Sequence, residues 1–253
     1  MKNFRFLAVA LVAMLGLTAC NNDCEHEFIE HDYREALIGT WTCLEEGQAE
    51  AMVINPDGSF EVTGVMKGGS LYEEKGTIEV VNNKVSLVFD GDTDVIEGRL
   101  ELVTGKSLSI VINDEYDIRL TYDYCANDLS DEIVGMWVCN DGTAREENGI
   151  VIHTYTESGK TYLTTATSAG TGYFAVNEES EYKVIGDLMF LKLMHKTLDS
   201  GVHAYAATKL TYTPNAISAG DIMTLHNYMS TKDGIVSLYH DSARICIPGH
   251  ITK

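Results

Sequence analysis

Three segments of the chain place a histidine two residues before a tyrosine: His153-Thr-Tyr155, His203-Ala-Tyr205 and His226-Asn-Tyr228. In a β-strand, a spacing of two puts both rings on the same face. Imidazole and phenol together donate and accept hydrogen bonds and also offer ring faces for stacking. That chemistry suits a small amphipathic or carbohydrate-like ligand. If the three faces turn inward they line one polar, aromatic cavity; if they turn outward they are surface groups without a shared role. Three converging imidazoles would also be a metal site, but the pattern reads first as a ligand cavity, and no metal or other cofactor is expected.

Other groups with chemical potential lack the spacing their chemistry needs. The segment Asp90-Gly-Asp92-Thr-Asp94-Val-Ile-Glu97 has calcium-like spacing, yet Val95 stands where an EF-hand loop needs glycine. It reads as an acidic hairpin. Cys24, His26 and His31 do not have zinc-site spacing. There is no Gly-x-Ser-x-Gly elbow, phosphate loop, His-Glu-x-x-His or Cys-x-x-Cys. Carboxylates are so frequent that some pair always looks poised for acid–base work, and solvated surface charge is the simpler reading. No catalytic residue is assigned, and the protein is not expected to be an enzyme.

The elements that would position these residues are strands. In the first half, candidate strands cover 38–46, 51–55, 59–66, 71–80, 84–90, 94–103, 107–112 and 116–124. Between them, Asn55-Pro56-Asp57-Gly58, Asn82-Asn83, Thr104-Gly105 and Asn113-Asp114 supply hairpin chemistry. Val85-x-Leu87-x-Phe89 and Leu108-x-Ile110-x-Ile112 alternate with a period of two, as a half-buried sheet requires. The second half repeats the plan near 133–140, 149–156, 160–168, 171–176, 180–185, 188–196, 203–213, 221–230 and 235–247. The run from Leu188 to Met194 is apolar on both faces, so that strand is expected between two packed surfaces. The connector 126–130 is short, which brings the halves into contact. Eight short antiparallel strands most naturally close into an up-and-down barrel, which removes exposed edges. The fold class expected is all-β: two consecutive antiparallel barrels, with tandem β-sandwiches as the alternative.

Each half opens on a similar phrase, Gly39-Thr40-Trp41 and Gly135-Met136-Trp137, and these are the only two tryptophans. The phrase resembles the Gly-x-Trp signature of lipocalins, and more closely the lipocalin-like domains of bacterial lipoproteins. The resemblance implies that each Trp closes a barrel floor with an arginine from the last strand over its indole. Arg119 and Arg244 stand where that arginine would be, and cation–π attraction gives the pairing a physical reason. The repeat also suggests disulfides Cys43–Cys125 and Cys139–Cys246 between first and last strands. Alternation argues against the former, because Cys43 shares a face with Trp41 whereas Cys125 lies opposite Leu120 and Tyr122 in phase.

The first residues are an address. Lys2 and Arg5 precede an apolar run from Leu7 to Leu17, the plan of a signal peptide, and too short to span a bilayer as a helix. Leu17-Thr18-Ala19-Cys20 resembles the bacterial lipobox, which implies cleavage before Cys20 and acylation of its sulfur and amine. Several acyl chains anchor a protein stably where one is marginal. The acidic tether that follows resembles, loosely, an export signal for the outer cell surface. The expected organisation is a lipoprotein signal peptide at 1–19, a tether at 20–35, one lipocalin-like barrel at 36–125 and a second at 131–250. The location implied is the Gram-negative envelope, as an outer-membrane lipoprotein. The whole chain has a formal net charge of −20, which excludes nucleic acid as a partner. The protein is expected to be a monomer held to the membrane by its lipid. Its expected function is non-catalytic binding, either of a small ligand in the second barrel or, alternatively, of a protein or glycan by solid barrels acting as spacers. Replacing Cys20 with alanine is expected to abolish acylation and move the protein from the membrane fraction to soluble material or unprocessed precursor, as metabolic lipid labelling and fractionation would report.

Overall fold

The structure is a computed structural model that describes residues 33–45, 48–66, 69–112, 118–140, 149–169, 172–197, 203–216, 220–232, 235–239 and 244–248. Side chains are described for fewer of them; those of residues 215–253, and therefore of His226, Tyr228 and Arg244, lie outside that set, as does the whole segment 1–32 with Cys20, Cys24, His26 and His31.

A single turn of helix, α1 (Arg34–Leu37), leads into eight strands: β1 (Gly39–Glu45), β2 (Gln48–Ile54), β3 (Ser59–Val65), β4 (Leu71–Val81), β5 (Lys84–Phe89), β6 (Val95–Val103), β7 (Ser107–Ile112) and β8 (Ile118–Cys125). They pair in sequence order, and β8 returns to β1 through Thr40↔Cys125, Trp41↔Tyr124 and Thr42↔Asp123. The result is a closed antiparallel barrel. The second half supplies β9 (Gly135–Asn140), β10 (Gly149–Tyr155), β11 (Lys160–Ala169), β12 (Gly172–Ile185), β13 (Leu188–Thr197), β14 (His203–Ala216), β15 (Gly220–Lys232), β16 (Ile235–Tyr239) and β17 (Arg244–Pro248). These form a nine-stranded sheet in the order β14-β13-β12-β11-β10-β9-β17-β15-β16, with a further β14–β15 pairing that curls it round on itself. Taking β17 as an eighth strand, the pairing reproduces that of the first barrel, and β16 is the addition.

Two expected boundaries change. The breaks anticipated after 176 and before 180 do not exist: β12 runs unbroken because β11 pairs with it from Lys160↔Glu181 to Ala169↔Gly172. The strand expected at 235–247 is instead two, β16 against the end of β15 and β17 between β15 and β9.

The two Gly-x-Trp phrases do the same work in each half. Gly39 and Gly135 have φ of +136° and +140°, a conformation that L side chains rarely adopt. A Cβ on Gly39 would also lie 2.7 Å from the Tyr124 ring. The turn they permit lets the following indole reach back four residues: Trp41 Nε1 donates to the Leu37 carbonyl at 2.8 Å, and Trp137 Nε1 to that of Ile133 at 2.7 Å. Leu37 and Ile133 are themselves buried, so each barrel is plugged at the end where its chain enters. The arginine expected over the first indole is elsewhere. Arg119 lies out of phase with the inward face and holds Glu101 at 2.6 Å on the outer wall. Tyr124 meets the Trp41 ring edge-on instead, with centroids 5.2 Å apart.

The interior of the first barrel is filled. Trp41, Met52, Ile54, Phe60, Leu87, Leu108 and Ile110 belong to one buried cluster that spans all eight strands, in keeping with an eight-stranded barrel just wide enough to be packed by its own side chains. Cys43 and Cys125 are free thiols: the wall separates them, Cys43 joining the interior cluster while Cys125 borders Gly186 of the second half. Cys139 and Cys246 are Cα partners across β9 and β17.

The barrels pack side by side. Ala49, Ala51 and Val65 of the first form one buried cluster with Leu188, Phe190 and Ala207 of the second. Met189, the intervening residue, faces the second interior beside Trp137 and Leu210. Strand β13 thus lies between two packed surfaces, as its two apolar faces require. At the plugged ends, the β12–β13 hairpin abuts the first barrel: Thr42 Oγ1 donates to Asp187 Oδ1 at 2.9 Å, and the Leu129 amide to the Gly186 carbonyl at 2.8 Å. At the far ends, the Tyr205 amide donates to the Gly69 carbonyl at 2.8 Å. Truncating Trp41 to alanine removes the largest side chain of the first core together with its hydrogen bond. It is expected to cost ~3–5 kcal/mol, measured by chemical denaturation.

Candidate functional site

The three His-x-Tyr pairs do not converge. His153 and Tyr155 are buried and stacked, with ring planes 8° apart. His153 is the partner of Trp137, and Tyr155 belongs to the interior cluster, so this pair lines the inside of the second barrel. Tyr155 meets Tyr182 edge-on, and the Tyr182 hydroxyl donates to the Thr156 carbonyl at 2.8 Å. Tyr205 instead packs on the cluster between the barrels, which places His203 and Tyr205 on the outer face of β14. Two described pairs therefore occupy opposite sides of one wall. The period of two fixes a shared face within a strand, but not which face. For the third, His226 is the partner of Lys209 and Tyr228 that of Thr208, with a register shift between them.

The first barrel holds a polar constellation of its own. Glu50 is the third residue of β2, in phase with Met52 and Ile54, and only 5% exposed. Tyr72 donates its hydroxyl to Glu50 Oε2, and Tyr122 donates to Oε1. Five strands bring these groups to one level, β8 supplying Tyr122. Cys43 and Glu50 are partners across β1–β2, Glu50 pairs with Gly64 on β3, and Gly64 pairs with Tyr72 on β4. A Cβ at Gly64 would lie 2.4 Å from the Tyr72 hydroxyl and ring. The missing side chain is what lets the phenol cross the strand to reach the carboxylate.

The electrostatics follow from burial among neutral donors. Desolvation pushes the Glu50 carboxyl above the usual glutamate range, and the two phenols pull it partly back. Glu74, partly buried on the same strand as Tyr72, is raised by burial and then by Glu50 and Asp92. Burial, with Glu45, Glu50 and Asp123 nearby, pushes the Cys43 thiol up to about 12. That thiol is protonated and a poor nucleophile. The cluster has no activated nucleophile, and among the described residues no group of three His, Cys, Asp or Glu is placed to hold a metal.

This constellation escaped the reading of the sequence because acids are everywhere in the chain. The signal was alternation: Glu50 falls in phase with Met52 and Ile54, and Tyr122 in phase with Leu120, on faces that must point inward. Outside the barrel, a groove of about 380 Å³ crosses the outer wall where β5 meets β6, lined by Asn83, Lys84, Ser86, Glu97 and Arg99 among others. Comparison with models of known protein families finds none that matches the chain, and a search of curated proteins likewise finds no match.

Substituting Gly64 with alanine is expected to displace Tyr72 from Glu50 and destabilise the fold by ~1–3 kcal/mol, the usual cost of overpacking. The check is denaturation together with tyrosine absorbance, where loss of the buried phenol signal should accompany the loss of stability.

Proposed function

We propose that the protein is a lipid-anchored component of a Gram-negative envelope whose two joined barrels act as a non-catalytic interaction module. It engages a protein or surface glycan through its outer walls and loops. The observation that carries this reading is the filled interior of the first barrel, whose buried cluster of side chains leaves the outer wall as the surface for contact. The interface between the barrels supports it, because a spacer must hold its ends at a fixed separation. The Leu17-Thr18-Ala19-Cys20 sequence supports the anchor. The same indole lock in both halves supports kinship with the lipocalin-like domains of bacterial lipoproteins.

A second reading, a small ligand held in the second barrel, rests on His153 and Tyr155, which line its inner side. Fold alone does not decide between the two. Photo-crosslinking in intact cells separates them, with the reactive group placed at Ser86 or Thr121 on the outer wall of the full-length protein. Discrete adducts with a macromolecule from these positions are expected, and native mass spectrometry of the purified protein should show only the acylated chain. A stoichiometric small molecule released on denaturation, with no adducts from the outer wall, overturns the interaction-module reading in favour of the second.

A further inference from the structure

We propose that Cys139 and Cys246 form a disulfide that fastens the closing strand of the second barrel to its first strand. The bond forms once the chain has left the reducing cytosol, and in that respect it rests on the envelope location proposed above.

Strand register places the two residues. Cys246↔Cys139 is one of four pairs between β9 and β17. Residues directly opposed on antiparallel strands have Cα atoms about 4.5 or about 5.5 Å apart, according to whether the pair is hydrogen-bonded. A disulfide spans Cα atoms about 4.4–6.8 Å apart, so the backbone need not move to admit one. Among the described cysteines no other two are partners: Cys43 is opposite Glu50, and Cys125 is opposite Thr40. Both of these are free thiols.

The same position is filled differently in the two barrels. Trp41 is the partner of Tyr124, and Trp137 that of Pro248. Two residues further along, β1 and β8 carry Cys43 and Tyr122, whereas β9 and β17 carry Cys139 and Cys246. On the neighbouring strand, the partner of Cys43 is Glu50 and that of Cys139 is Val151. In the first barrel Tyr122 donates its hydroxyl to Glu50, which ties the last strand, across the first, to the second. The second barrel has neither phenol nor carboxylate at these positions, and two thiols stand there instead.

The closing strand of the second barrel also has fewer backbone partners. Strand β8 is held along its other edge by six pairs with β7, whereas β17 has three with β15. Opposite Trp137 it presents Pro248, which has no amide hydrogen to donate. A strand so short and thinly paired opens at low cost. A bond to Cys139 holds it by a link independent of those hydrogen bonds.

Formation is a thiol–disulfide exchange in two steps. The thiolate of one cysteine attacks the disulfide of an envelope thiol oxidoreductase and displaces one of its sulfurs as a thiolate. The second cysteine then attacks the mixed disulfide, and the oxidoreductase leaves with both sulfurs reduced. Two protons and two electrons pass from the pair to the oxidoreductase.

Peptide mapping of the full chain, with free thiols blocked by alkylation and no reductant, tests the site. Reduced protein equilibrated with oxidised glutathione is expected to yield a peptide joining Cys139 to Cys246, with Cys43 and Cys125 recovered as thiols. Cys24→Ser should leave that peptide in place. Reduction should speed hydrogen exchange of the β17 amides by roughly tenfold or more and leave those of Leu108 and Ile110 unchanged. The double variant Cys139→Ser, Cys246→Ser should not respond to reductant; should it not fold, the oxidised and reduced wild-type forms give the comparison directly. Glutathione adducts at both positions, a bridge from either cysteine to Cys24, or equal exchange in the oxidised and reduced forms overturns the proposal. If the bridge forms in vitro but protein taken directly from cells has both thiols free, the site is sustained and the envelope location is overturned instead.

Discussion

The structure depends on an indole N–H that turns back to the carbonyl four residues before it. An indole nitrogen buried without an acceptor is costly, and the carbonyls at the end of a short helical turn need donors. Trp41 with Leu37 and Trp137 with Ile133 meet both needs with one bond in each barrel. The bond requires a sharp change of direction between the turn and the first strand, and the glycine at positive φ provides it. Once the bond is made, the first strand enters its barrel at a fixed angle. Its neighbours and the plug then follow from that angle.

The second constraint is that one wall serves two cores. Strand β13 gives Met189 to the second interior and Leu188 and Phe190 to the junction, while Ala49, Ala51 and Ala207 keep the opposing surfaces close. Small residues set against large ones allow close packing without voids. Asp187 ties this junction to both barrels, accepting from Thr42 and lying 3.4 Å from Lys209. Polar and apolar contacts therefore run along the same face from plugged end to far end.

Much of this architecture was legible in the sequence. The eight strands of the first barrel follow from alternation and hairpin residues, and the double-sided burial of β13 follows from the four consecutive apolar residues Leu188 to Leu191. Other features were not legible, for physical reasons. His153 and His203 carry the same spacing yet face opposite sides, because a strand with packed surfaces on both faces gives alternation no polar side to mark. Asn177, Glu178 and Glu179 look like a turn, but pairing along the whole of β11 keeps them extended. Arg119 stands where the resemblance to lipocalins led us to expect a stacking arginine, yet it lies out of phase with Leu120 and Tyr122, so it pairs with Glu101 outside. Glu50 was hidden among many other acids, and only its phase with Met52 distinguishes it.

The seam of the first barrel has a mechanical consequence. Its first and last strands meet through three pairs, beginning with Thr40↔Cys125 at the plugged end. The chain enters beside Thr40 and leaves after Cys125, so tension between the leading segment and the second barrel acts directly across that pair. Such a load opens an antiparallel ladder one rung at a time rather than shearing all rungs together, the weaker way to resist force. The β12–β13 hairpin sits against this rung, with Gly186 beside Cys125 and Thr40, and Asp187 bonded to Thr42. A pull that would unzip the first barrel must therefore first lift the second one away, and the junction acts as the clasp on the seam.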